Sequence, residues 1–222
     1  MPPSENTIFP HSEEALAMEG VALQFGGKVV LRDFQLRLQP GERVRLAGPS
    51  GSGKSSVLRL LVGLEKPDAG CIRIGGELLT DVSVWKLRQR LAYVSQEAPL
   101  GEGRVRQALQ DVFAWKANSE VSWEEGQIAA RFEAFRLAPS LLDQEVEQLS
   151  GGERQRIALV LALALKRDIL LLDEVTSALD AELKQIVIQH LGQQAKTMLV
   201  VSHDAPWDQL NLRTVTLSTL TP

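Results

Sequence analysis

Cysteine is almost missing from this sequence, and its one copy, Cys71, has no partner for an internal disulfide. That fits a reducing compartment. Long hydrophobic runs are missing too. The longest, Ile157 to Leu165, falls well short of the roughly 20 residues that cross a bilayer, so any membrane role is expected to come through a partner. The start, Met1 to Ala15, is polar and acidic, holds three prolines and lacks the basic end and apolar middle of a secretion signal. Residues 1–16 are expected to form a loose tail and 17–222 one domain. Positive charge is not in surplus. A net charge of −4 gives no overall reason to expect a nucleic-acid partner. No cluster of His and Cys suggests a protein-bound transition metal. His11 and His190, with Trp85, Trp115, Trp123 and Trp207, read as surface or packing residues. Internal repeats and low-complexity blocks are absent.

What is present is ordinary globular material: 222 residues, 44% hydrophobic and 23% charged, enough for one sizeable core and a small inserted subdomain. From about Ala17 to Leu38 apolar and polar residues alternate, which predicts antiparallel strands with one wet face. Arg43 to Ala47 reads as a strand entering a glycine-rich loop. Leu58, Leu61, Val62 and Leu64 then follow helical spacing until Lys66-Pro67. Ile72 to Leu79, around Gly75-Gly76, reads as a hairpin, and Leu91 to Ser95 as a short strand. Residues 97–150 carry two helical stretches, near Val105–Lys116 and Glu124–Phe135, and no strand-like run; they read as a helical insertion. Helix (Gly151–Lys166), apolar strand (Ile169–Leu172), helix (Ala181–Leu191) and apolar strand (Met198–Val201) follow. Such alternation predicts an α/β fold, its mostly parallel sheet covered by helices.

Gly48-Pro49-Ser50-Gly51-Ser52-Gly53-Lys54-Ser55, followed by Ser56, fits the phosphate-loop pattern of a nucleoside triphosphatase. Its glycines let consecutive backbone N–H groups turn toward phosphate oxygens, where a β-carbon would clash. Lys54 would place a charge on the β- and γ-phosphates of ATP, and the Ser55 hydroxyl would ligate Mg²⁺. The helix that follows aims its positive end at the same anion. Ile169 to Glu174 is an apolar strand ending in two carboxylates, and ligands of open α/β sheets gather at such ends. Asp173 is placed to hold Mg²⁺. Glu174 projects differently and could polarise the attacking water. A solvated strand end explains the pair equally well when taken alone; beside a phosphate loop it becomes the other half of a site.

Ser150-Gly151-Gly152-Glu153 opens a helix. A capping box explains the serine and the glutamate but not two glycines, which weaken a first turn while baring its N–H groups for an anion. With the phosphate loop, Leu149-Ser-Gly-Gly-Glu153 resembles the ATP-binding cassette (ABC) ATPases, and the similarity runs from about Met18 to Leu217. The resemblance implies a phosphate-loop fold of ABC type with an antiparallel β-subdomain and an inserted helical subdomain. Phe25 matches an aromatic that stacks on adenine. Gln96 matches a glutamine that touches Mg²⁺ and water, and His203 a histidine that contacts the γ-phosphate. Ser177-Ala178-Leu179-Asp180 matches a loop crossing a dimer interface. Ordinary packing explains Phe25, and an ordinary hydrogen-bonded histidine explains His203, when each is taken singly.

The family pattern further implies head-to-tail pairing with a second copy, where the Ser150 helix of one subunit closes on the ATP of the other. Val175 stands where most members have proline, and Leu161 where most have arginine. Without a membrane span or a long extension, the chain resembles the separately encoded ATPase subunit of a permease, peripheral at the cytoplasmic face of the membrane. The permease is expected to dock on the helical insertion and on Glu97–Trp115. Asp173–Asp180 and Phe113-Ala-Trp115 look like bacterial subunits assigned to iron export. Other readings are a soluble ABC ATPase acting on nucleic acid or a ribosome and, more distantly, a small-molecule kinase.

Overall fold

Two sheets share the molecule because two hydrophobic patterns share the sequence. A computed structural model describes residues 14–218; residues 1–13 of the expected tail, His11 among them, lie outside that range. The first sheet holds β1 (Leu16–Phe25), β2 (Lys28–Leu38), β4 (Ala69–Ile74) and β5 (Glu77–Leu78), antiparallel in the order β2-β1-β4-β5. Residues 15 and 16 belong to the fold rather than to the expected tail: Ala15 and Leu16 are buried and β1 already includes Leu16, because their apolar side chains fill the space under this sheet.

The second sheet holds β3 (Arg43–Ala47), β6 (Leu91–Val94), β7 (Ile169–Asp173), β8 (Thr197–Val201) and β9 (Arg213–Thr216), all parallel, in the order β6-β7-β8-β3-β9. Its central strands β7 and β8 are buried throughout. Side chains alternate between faces. Leu170, Leu172, Met198 and Val200 enter one core, shared with α3 (Val105–Ala114), α4 (Glu125–Ala134) and α5 (Gly151–Ala164). Ile169, Leu171, Leu199 and Val201 enter the other, shared with α1 (Lys54–Leu61) and the antiparallel sheet. The unbroken apolar runs of β7 and β8 are thus a consequence of burial on both sides.

α1 ends earlier than its spacing suggests. Gly63, at φ +65°, turns the chain out of the helix, and Leu64 is exposed rather than part of an apolar stripe. Two elements escaped the sequence reading, the short helix α2 (Val84–Arg88) and β9 at the sheet edge. β9 matters to the site, since its continuation past Thr216 runs against Gly48. Trp207 is fully buried beneath α6 (Ala181–Gly192), whereas Trp85 and Trp115 are exposed. No helix among the described residues is long and apolar enough to cross a membrane.

Candidate active site

Strand β3 ends at Ala47 and delivers the chain into the loop Gly48–Gly53, whose glycines at 48, 51 and 53 all have positive φ. Each has its own reason. A β-carbon on Gly48 would collide with the Leu217 carbonyl, and one on Gly53 would stand 2.8 Å from Val30 Cγ1 on β2. Gly51 has open space around it, so its requirement is the backbone conformation alone. The loop is therefore wedged between the segment that follows β9 and strand β2. α1 begins at Lys54 without a side-chain cap, leaving the first-turn N–H groups free for an anion.

Lys54, 8% exposed, donates to the Gly48 and Pro49 carbonyls at 2.9 Å each and so closes the loop around its own ammonium group. The Ser55 hydroxyl donates to Asp173 Oδ1 at 3.2 Å, joining the loop to the end of β7. One hydroxyl and one carboxylate side by side are hard oxygen donors of the kind Mg²⁺ takes, with phosphate and water completing its shell. No group of three or more His, Cys, Asp or Glu suited to a metal occurs among the described residues. Burial raises the Asp173 carboxyl above its ordinary range, opposed by the hydrogen bonds from Ser55 and Tyr93.

Glu174 stands next in the chain at φ +49°, a left-handed conformation uncommon for glutamate. Its N–H donates to the Val201 carbonyl at 2.9 Å, and its own carbonyl accepts from Ser177 Oγ at 2.8 Å. That backbone twist turns its side chain away from Asp173 and toward His203, whose Nε2 lies 3.7 Å from Glu174 Oε1. Burial raises the Glu174 carboxyl, the Asp173 charge adds to this, and His203 opposes it. A half-buried carboxylate with a raised pKa beside a phosphate loop suits the acceptance of a proton from water.

A cleft of about 440 Å³ gathers Ser50, Gly51, Gly53, Lys54, Ser55 and Ser56 with Gln96, Glu174, Ser177 and His203. Val30 and Val201 also line it, and neither was singled out from sequence. Ser52 is buried within the loop, and its hydroxyl has no hydrogen-bond partner among the described residues. Phe25 lies apart from the cleft lining, at the tip of the β1–β2 hairpin and half exposed. Gln96 occupies a wall between two spaces. It lines the cleft and also a larger groove of about 530 Å³ whose other side is α5, including Ala158, Leu161 and Leu165.

The signature residues are not in this cleft. Ser150 caps α5: its hydroxyl accepts from the Glu153 N–H at 3.2 Å and donates to Glu153 Oε2 at 2.7 Å, while the Ser150 N–H donates to the same oxygen at 2.9 Å. The glycines have a packing role that sequence did not reveal. A β-carbon on Gly152 would stand 3.3 Å from both the Ala178 carbonyl and Leu179 Cδ2, so the Ser177–Asp180 loop lies against the bared helix tip. Leu179 is buried, and Asp180 caps α6 by accepting from the Leu183 N–H at 2.9 Å.

Val175 is fully buried in the core shared with the helical insertion, where an apolar side chain serves as well as a proline ring. Leu161 packs against that core and faces the groove. A further network missed from sequence holds Asp204, the residue after His203: Thr176 Oγ1 donates to Asp204 Oδ2 at 2.6 Å, Lys184 pairs with Asp204 Oδ1 at 2.5 Å, and Trp207 donates to Thr176 Oγ1 at 3.2 Å. Its members are scattered over some thirty residues and carry no motif.

The family model described as ABC transporter matches residues 31–177. An Fe(3+) ions import ATP-binding protein of Rhodococcus jostii is 37% identical over 208 residues, 86% of this chain and 56% of the relative. An energy-coupling factor transporter ATP-binding protein of Geobacillus kaustophilus is 32% identical over 201 residues, 87% of this chain and 71% of the relative. The chain spans about half the length of the iron-import relative. Among solved structures, a dimeric ATP-binding cassette in a post-hydrolysis state, bound to ADP and phosphate, is 25% identical. It superposes with a TM-score of 0.80 over 93% of this chain and 97% of that one.

Proposed function

The chain belongs to the ABC transporter family, and on that premise we propose that it binds and hydrolyses ATP to drive a separate membrane permease. The observation that carries this reading is the Ser55–Asp173 contact of 3.2 Å in a site that also presents Lys54 and Glu174. Three phosphates lying along Gly48–Ser56 would meet the loop amides, the uncapped start of α1 and the Lys54 ammonium, all of one sign. Ser55 and Asp173, with Gln96 at the edge of the cleft, would hold Mg²⁺, which would supply charge neutralisation for the terminal phosphates. Glu174 orients the attacking water and accepts its proton, and His203 is placed to donate to the γ-phosphate. Phe25, exposed on its hairpin, offers a face for adenine.

Two copies complete the site. Ser150, Gly151 and Gly152 have no place in the chain's own cleft, and the solved cassette with similar architecture is dimeric. Head-to-tail pairing would bring that tip to the nucleotide of the other copy, with Ser177–Asp180 crossing between them. The groove behind Gln96 is the natural seat for a permease segment, because a displacement there moves a cleft residue directly. On this reading the protein would work at the cytoplasmic face of the membrane. Iron export, suggested by short segments, finds no echo in the names of the relatives above, one of which is an Fe(3+) import protein; cargo and direction belong to the permease.

The test is phosphate release from Mg-ATP by the purified chain, combined with recovery of its partners from the native membrane. Hydrolysis together with a co-purifying polytopic membrane protein is the expected result. Hydrolysis stimulated by ribosomes or nucleic acid, with no membrane partner, would replace transport with the soluble alternative.

A further inference from the structure

Asp173 is 3% exposed, and among the described residues its carboxylate takes two hydrogen bonds. Ser55 supplies one, to Oδ1. The other comes from Tyr93, whose hydroxyl donates to Oδ2 at 3.4 Å. Tyr93 lies on β6 next to β7, three residues before Gln96, and faces the core that contains α1. It also lines the groove behind Gln96, where Arg59, Ser55 and Asp173 lie with it.

The polarity of the phenol is fixed by its surroundings. Arg59 on α1 shares the groove with Tyr93 and pairs with Glu65 Oε1 at 3.5 Å. An ionised carboxylate only accepts. The single phenol proton is therefore the donor of the Tyr93–Asp173 bond. Asp173 thus accepts from two sides, from Ser55 at Oδ1 and from Tyr93 at Oδ2.

A carboxylate that serves a metal must present one oxygen in a fixed direction, and the partner of its other oxygen commonly sets that direction. When Ser55 turns its lone pair toward a metal, Tyr93 remains as a separate anchor. We propose that Tyr93 is a positioning residue for the metal-binding carboxylate, holding Asp173 Oδ2 so that Oδ1 stays turned toward Ser55 and the cation. This rests on the Mg-ATP reading above. It adds a residue that neither the phosphate loop nor the acidic strand end announces, and one that touches the groove side of the site.

The experiment is a titration of a fluorescent ATP analogue against the full chain in EDTA and across a range of Mg²⁺ concentrations. Tyr93→Phe keeps the ring and its packing and removes the hydroxyl. It should raise the Mg²⁺ concentration for half-maximal binding by about tenfold, as loss of such a ligand partner commonly does. Affinity in EDTA should stay within about twofold, since the loop and Lys54 are untouched. An unchanged Mg²⁺ requirement in Tyr93→Phe overturns the proposal. So does an equal loss of affinity with and without the metal, which marks a packing role. Wild-type protein that binds no nucleotide under either condition removes the ATP reading itself, an outcome distinct from a variant that behaves like wild type.

Discussion

Helices α1 and α5 both start beside serine and glycine, yet their N-termini are finished in opposite ways. α1 has no side-chain cap; its free amides open onto a cleft that also holds Lys54, Ser55 and Glu174. α5 is capped by its own Ser150 and Glu153, so its serine hydroxyl is already engaged. The first terminus gathers its polar groups within one chain. The second is at rest in one chain, and an incoming phosphate would have to draw Ser150 away from a carboxylate. Affinity for nucleotide should therefore reside in the first, and response to a second copy in the second.

Substitutions can break this division. Glu174→Gln should slow hydrolysis by about 10²- to 10⁴-fold, the usual worth of a positioned base, while ATP affinity is kept. An ATP-bound dimer should then accumulate by light scattering, and near-normal turnover would remove Glu174 from the base role. Lys54→Ala should weaken ATP binding by about 10- to 100-fold, the loss of one charged hydrogen-bonding group, measured by calorimetry. Ser150→Arg should leave that affinity alone and weaken ATP-dependent pairing by at least about tenfold, because a bulky side chain then fills the space an anion must enter. Pairing that survives this change would place the tip outside the dimer contact.

Smaller effects sharpen the contrast. Glu153→Ala removes one arm of the capping box, at about 1 kcal/mol, and should lower the melting temperature by about 2–4 °C without changing nucleotide affinity. The pH dependence separates the termini as well. Burial raises the Glu174 carboxyl, so its ionised form is lost as pH falls through a value above the ordinary 4.5. The acid limb of turnover should lie on the high side of that value, and Glu174→Gln should abolish it. Glu153 shifts the other way: the Ser150 hydroxyl and N–H bonds hold its carboxyl low, so the cap persists to more acid pH than a free glutamate would allow.

The residues that read clearly in sequence are those whose chemistry needs a local pattern. Gly48 to Ser55 must be contiguous, since one turn of backbone has to surround one anion. β7 could be placed from its apolar run, and Asp173 and Glu174 from their position at its end. Ser150 and Glu153 were legible as a capping pair because that motif is set by spacing alone. Contacts between distant segments left no such trace. Gly48 needs to be glycine partly because Leu217 passes close by, and Gly152 because Ala178 and Leu179 do. Tyr93 reaches Asp173 across 80 residues of sequence, and the Thr176–Asp204–Lys184 network is similarly dispersed.

By itself, then, the sequence determined the phosphate cradle, the alternation of helices and buried strands, and the likeness to ABC ATPases, because each is a property of neighbouring residues. Only the tertiary structure decided that Gln96 stands between cleft and groove, that Glu174 turns from Asp173 toward His203, and that β2 and the segment that follows β9 wedge the loop. The reason is physical: backbone conformation and periodicity are short-range, whereas the placement of a side chain in a site depends on which strands pair and which cores close around it.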